Sequence, residues 1–181
     1  MTTQMHQDQQ LRLLDLSTHA VRRSRPASQT GGLTCVKKGL LDSRYEVRSG
    51  DRFVAELSLR GILRPTASAR SDDGAWFFEP EGRAIVVRTQ DRLRDLAVVD
   101  LSFSDHGGIL RIPDGRTYLF LSDFWKGRAE FQTPSGQSLV RYRFRGLLRP
   151  HAKIEILDAA RAIPELNWIV LLGWSLIVGS L

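Results

Sequence analysis

Arg141, Arg143 and Arg145 alternate with Val140, Tyr142 and Phe144. If the segment is a β-strand, its period of two sets three guanidinium groups on one face. Successive groups lie about 6.6 to 6.8 Å apart, in a row of planar donors suited to phosphate oxygens. Arg149 and Lys153 follow closely enough to extend the patch. The chemistry on offer is capture of an anionic headgroup, with these five side chains as the candidate ligand-binding set. Like charges in a row repel, so either acidic cross-strand neighbours offset them, as on an ordinary solvated face, or a bound anion does.

Other chemistry finds little material. His6, His19, His106 and His151 are scattered, Cys35 is the only cysteine, and no HExxH, GxGxxG, P-loop or GxSxG spacing occurs. No catalytic residue, metal site, disulfide or cofactor is expected, and an enzyme is the least supported class. The pairs Asp72-Asp73 and Asp91/Asp95 read as turn and loop chemistry. Trp76, Trp125, Trp168 and Trp174 read as core. Lys and Arg total 26 against 20 acids, a net charge of +6, which favours anionic partners. Of those 26 bases 22 are Arg, which suits bidentate contacts but is also what a GC-rich coding sequence would supply.

The elements that must position these residues follow from periodicity and punctuation. Residues 1 to 32 are rich in Gln, Ser, Thr and Arg and read as a flexible tail, with a small apolar knot at Leu11, Leu13, Leu14 and Leu16. No signal-peptide pattern is evident there, so the expected location is the cytoplasm, peripheral at the inner face of the membrane if lipid is bound. From Leu33 the texture changes to short β-rich runs, with strands expected near 33–38, 44–49, 52–60, 66–71, 75–79, 83–89, 96–103, 109–112, 117–122, 125–132, 138–146 and 151–157. Turn signals separate them, among them Asp73-Gly74, His106-Gly107-Gly108 and Pro134-Ser135-Gly136. In one run Phe53, Ala55, Leu57 and Leu59 share a face opposite Val54, Glu56, Ser58 and Arg60.

Val54 to Ala67 and Leu139 to Ala152 align without gaps at an offset of 85 residues and share an Arg-Gly-apolar-Leu-Arg-Pro-x-Ala core. Gly61 and Gly146 would let the chain bend where a strand ends, and Pro65 and Pro150 would stop ladder pairing. The repeat reads as a corner used twice. Arg60 and Arg64 match Arg145 and Arg149, which ties those positions to corner geometry as well.

The last sixteen residues, Leu166 to Leu181, carry no charged side chain. A helix that is apolar all round belongs inside a core or a membrane. Its length of about 24 Å falls short of the roughly 30 Å of bilayer hydrocarbon and matches a strand of six or seven residues. It is read as a central helix over about 163–181, started by Pro164 with Glu165 at the positive end of the dipole. The expected fold is mainly β: a closed barrel of about twelve strands around a C-terminal hydrophobic central helix, spanning residues 33–181 as one domain.

That plan is similar to the tubby C-terminal-like fold, nearest the LURP-one-related and phospholipid scramblase branches. The likeness is carried by the hairpin Tyr45 to Arg60, the strand Ala75 to Glu79, the run Asp123 to Phe131 (DFWKGRAEF) and the ending Ala162 to Val178. The resemblance implies binding rather than turnover, of anionic phospholipid or phosphorylated ligands at a membrane surface. The chain departs from the scramblases in having only Asp158 and Glu165 near their acidic calcium-binding segment. It also lacks their Pro-rich N-terminal region and cysteine cluster. No basic motif matches the tubby phosphoinositide site. The alternatives are a scaffold that binds a protein partner and a tail-anchored membrane protein; nucleic acid is disfavoured because the bases are interleaved with acids. Oligomeric state is left open.

Overall fold

The alternation of the sequence becomes twelve strands in a computed structural model that describes residues 32–39, 43–61, 65–102, 107–146 and 149–180. They are β1 (Leu33–Lys37), β2 (Arg44–Ser49), β3 (Arg52–Arg60), β4 (Thr66–Ser71), β5 (Gly74–Glu81), β6 (Ala84–Thr89), β7 (Asp95–Ser102), β8 (Gly107–Arg111), β9 (Thr117–Asp123), β10 (Arg128–Gln132), β11 (Ser138–Arg145) and β12 (His151–Ile156). Each strand pairs antiparallel with the next. β12 then returns to pair with β1, Leu33 opposite Ile154 and Cys35 opposite Ala152, so the sheet closes into a barrel with no free edge. Of the expected tail over residues 1–32, only Gly32 lies within the described residues, and Arg64 of the first corner also lies outside them.

A 3-10 turn at Asp158–Ala160 leads to the single described α-helix, α1 (Leu166–Val178). Every residue from Trp168 to Ile177 is buried. The helix packs against β3, β4, β5 and β10, while Trp174 meets Tyr45 of β2 edge to face at 5.7 Å. On the far wall Tyr142 of β11 donates its hydroxyl to the Val170 carbonyl at 3.0 Å. A helix ringed in this way is the central plug, and its thirteen residues span about 20 Å.

The wall makes room for it. Ala67 and Ala69 of β4, Ala55 of β3, Ala129 of β10, Ala152 of β12 and Cys35 of β1 all point inward and are buried. Small buried wall residues leave space inside the barrel that a helix carrying Trp168, Trp174 and several leucines can fill.

Several boundaries differ from the expected ones, each for a local reason. The helix begins at Leu166 rather than near 163, because Pro164 and Glu165 form the turn before it, and Glu165 occupies the N-cap. Gly107 and Gly108 belong to β8 instead of a turn: a Cβ on Gly108 would lie 2.9 Å from the Asp100 carbonyl oxygen of β7, so glycine is there for close approach. Pro80 sits within β5, opposite Ile85, and does not end it. Phe53 is half exposed although Ala55 and Leu57 on the same nominal face are buried, because the β2–β3 register shifts at Val47/Arg48.

The duplicated corner behaves as its glycines require. β3 and β11 end at Arg60 and Arg145, each one residue before a glycine in the left-handed region, Gly61 at φ 103° and Gly146 at φ 82°. Pairing resumes with Arg60 opposite Thr66 and Arg145 opposite His151, again 85 positions apart. In a meander, odd-to-even connections all lie at one mouth of the barrel, so both corners share a mouth with the β9–β10 turn.

Candidate functional site: a cation row on the outer wall

β11 alternates as expected: Tyr142 and Phe144 are buried, while Arg141, Arg143 and Arg145 point outward. What each arginine faces depends on its neighbours across the ladder. Arg141 stands between Glu130 of β10 and Glu155 of β12. Its Nε lies 3.6 Å from Glu130 Oε2, and its Nη2 donates to Ser138 Oγ at 3.2 Å. Here the like-charge problem is solved by acids, the solvated-face alternative.

Two residues on, the arrangement reverses. Arg143 stands between Arg128 of β10 and Lys153 of β12, three cations abreast on three adjacent strands. Cross-strand neighbours on one face lie about 5 Å apart, so the row spans about 10 Å. Among the described residues none of these three has an ion pair within 4 Å. The row continues on one side to Thr34 and then Arg48, whose guanidinium is held by Glu46 at 2.7 Å. On the other side it ends at Asp123, opposite Arg128, whose carboxylate is taken by Lys126 Nζ at 2.8 Å. Lys126 thereby holds the Asp123 carboxyl below its ordinary value, with a smaller contribution from the Arg128 charge.

Arg145 lies opposite exposed His151 at the mouth. Arg149 is exposed beyond the corner, and its carbonyl oxygen lies 3.4 Å from His151 Nδ1. Two shallow grooves meet at Arg128 and Arg143 of the row. One, of about 500 Å³, runs along β9, β10 and β11 and is lined by Asp123, Glu130, Ser138 and Arg141; the other, of about 720 Å³, opens toward the mouth between Trp125, Phe144, Arg145 and Ser180. Lys126, Arg128 and Arg143 line both. The structure thus sets Lys153 beside Arg143, with Arg145 two residues further along β11, leaves Arg141 neutralised, and places both Arg149 and Lys153 outside either groove lining.

Sequence reasoning missed Arg128, Lys126 and the exposure of Trp125. It read 125–132 as a strand, but β10 starts at Arg128, and Phe124 to Gly127 form a tight turn. The Lys126 amide donates to Asp123 Oδ1 at 3.1 Å and the Gly127 amide to the Phe124 carbonyl at 3.1 Å. Gly127 has φ 62°, and a Cβ there would strike the Phe144 carbonyl oxygen. The signal was present: an Asp four residues before a Gly is turn chemistry. Trp125 at the tip is not core; it is 97% exposed, because the turn carries it clear of the barrel wall.

No metal set forms around the acids. Among the described residues no group of three or more His, Cys, Asp or Glu is placed to hold an ion. Glu165 is committed to Arg116 in a bidentate pair at 2.8 and 2.7 Å, and Asp158 to Arg161 at 3.1 Å. Compared with known proteins, the chain matches no family model, no curated protein and no solved structure.

Proposed function

We propose that the protein is a noncatalytic binding module of the tubby-like and scramblase-like kind, whose outer groove receives anionic headgroups or phosphorylated ligands at a membrane surface. The observation that carries this reading is the row Arg128, Arg143 and Lys153, three abreast with no acid between them. A sheet that balances Arg141 with two glutamates, yet sets three cations side by side one register step away, has a counter-charge to supply from outside. Phosphate fits: it carries several acceptor oxygens, and two guanidinium planes with an ammonium can each take one or two of them. The plan of a twelve-stranded barrel closed on its own helix also fits the resemblance. In this structure α1 lies inside the barrel, and among the described residues no helix is long and apolar enough to cross a membrane.

The test is sedimentation with phosphatidylcholine vesicles, with and without phosphatidylserine, over a range of salt. The expected result is binding to the anionic vesicles only, weakening as salt screens the surface charges. Arg143→Glu changes the local charge by two and should weaken binding by roughly 10- to 30-fold, at about 1 kcal/mol per basic charge near the surface. Arg141→Gln, at the balanced position, should have a smaller effect. Equal binding to neutral and anionic vesicles would sink the reading.

A further inference from the structure

Three of the four tryptophans are buried, whereas Trp125 is 97% exposed. A bare indole on a loose loop would be unremarkable, but this turn is held at three points. Phe124 packs on Phe144 with ring centroids 5.7 Å apart, Gly127 accepts the Phe144 amide at 2.9 Å, and Asp123 caps the turn through the Lys126 amide. The fold therefore presents the ring on a fixed base at the mouth of the barrel. Its near neighbours are Lys126, Arg128 and Arg143, and on the adjoining outer wall Leu121 and Ile109 are also exposed.

An amphipathic ring beside a cluster of cations matches the layering of a bilayer surface. Cations settle at the level of the phosphates, while Trp settles at the boundary between headgroups and acyl chains. The centre of a protein interface is depleted of charge; here the indole shares its groove with the cations Lys126, Arg128 and Arg143.

We propose that Trp125 is an interfacial anchor, and that the barrel docks on an anionic bilayer with the Trp125 mouth toward the lipid, the cation row on the phosphates and the indole below them. This rests on the anionic-headgroup reading of the groove and adds the bilayer as the source, with an orientation.

The buried state of the other tryptophans makes Trp125 its own reporter. Full-length protein would be mixed with phosphatidylcholine/phosphatidylserine vesicles, some carrying bromine on the acyl chains near the headgroup. The expected result is a blue-shifted emission, quenching by the brominated lipid and loss of acrylamide access. Trp125→Ala should abolish that quenching and weaken vesicle binding about tenfold, with an unchanged melting curve because the side chain packs on nothing. Binding of inositol hexakisphosphate, a soluble polyphosphate, should be the same for wild type and Trp125→Ala. Vesicles that sediment the protein while Trp125 stays open to acrylamide would overturn the anchor and leave the headgroup reading standing. A parallel loss of inositol hexakisphosphate binding in Trp125→Ala would place the ring in the phosphate site and also overturn the anchor. Failure to sediment with any vesicle would remove both readings. Protection of Trp125 only by a protein partner would assign the surface to a protein interface, against this proposal.

Discussion

Gly173 lies where the central helix meets the barrel wall. A Cβ there would clash with the Tyr142 hydroxyl, lie 2.6 Å from its Cζ and approach Phe131 Cε2 to 2.9 Å, and both rings are buried. In an isolated helix, alanine would be the better residue by about 1 kcal/mol. In the barrel the sign should reverse: Gly173→Ala is expected to destabilise by about 2 to 3 kcal/mol, read from urea unfolding, because the added methyl overpacks a rigid contact. A variant as stable as the wild type would mean that the helix is not seated against Tyr142. Single residues also show the limits of reading by type. Arg141 and Arg143 are indistinguishable in the sequence, two outward arginines on one strand, yet one faces two glutamates and the other two cations. Trp125 was expected in the core on its residue type, and a glycine two residues later put it in water.

The helix end is tied to the wall at the mouth opposite Trp125. Glu165, at the N-cap, accepts a bidentate pair from Arg116 at the start of the β9 hairpin, and Asn167 donates to Asp73 at 2.7 Å in the β4–β5 turn. Glu165 stands at the N-cap, the positive end of the helix, and its carboxylate also links the helix to the β8–β9 turn 49 residues away. Because the Arg116 side chain is 39% exposed, solvent screens the pair, and Glu165→Gln should cost less than about 1 kcal/mol. The sharper readout is local. Amide exchange in the first turn of α1 should quicken while exchange in the barrel strands stays unchanged, and no change in that turn would show that the pair does not hold the helix. Strand positions were legible because alternation repeats within a few residues. Their ends were less so where glycine and proline had second uses, at Gly107, Gly108 and Pro80.

Closing the sheet puts titratable groups where water cannot reach. Burial pushes the Cys35 thiol and the Tyr45 and Tyr142 phenols above their ordinary values of 9.0, 10.0 and 10.0. The unfolded chain loses these protons at the ordinary values while the folded chain keeps them. Stability is therefore full below pH 9 and should fall as pH rises through 9 and then past 10, approaching about 1.4 kcal/mol per pH unit for each group involved. Urea midpoints should be level near neutrality and drop on the alkaline side, and Cys35→Ala should delay the drop toward the phenol range. A midpoint unchanged to pH 11, on the order of one unit past the phenol value, would mean that these side chains titrate in water. On the acid side the contributions are small, since Glu46, held down first by Arg48, and Asp114, held down first by Arg116, lie near the surface. By itself the amino-acid order determined the number of strands, the twice-used corner and the need to bury the last apolar segment, because each rests on a repeat or a composition that acts locally. Only the tertiary structure decided which cations stand together and which are neutralised: Arg128, Arg143 and Lys153 meet through the register of three strands, and charge balance is set by neighbours across a ladder, not along a chain.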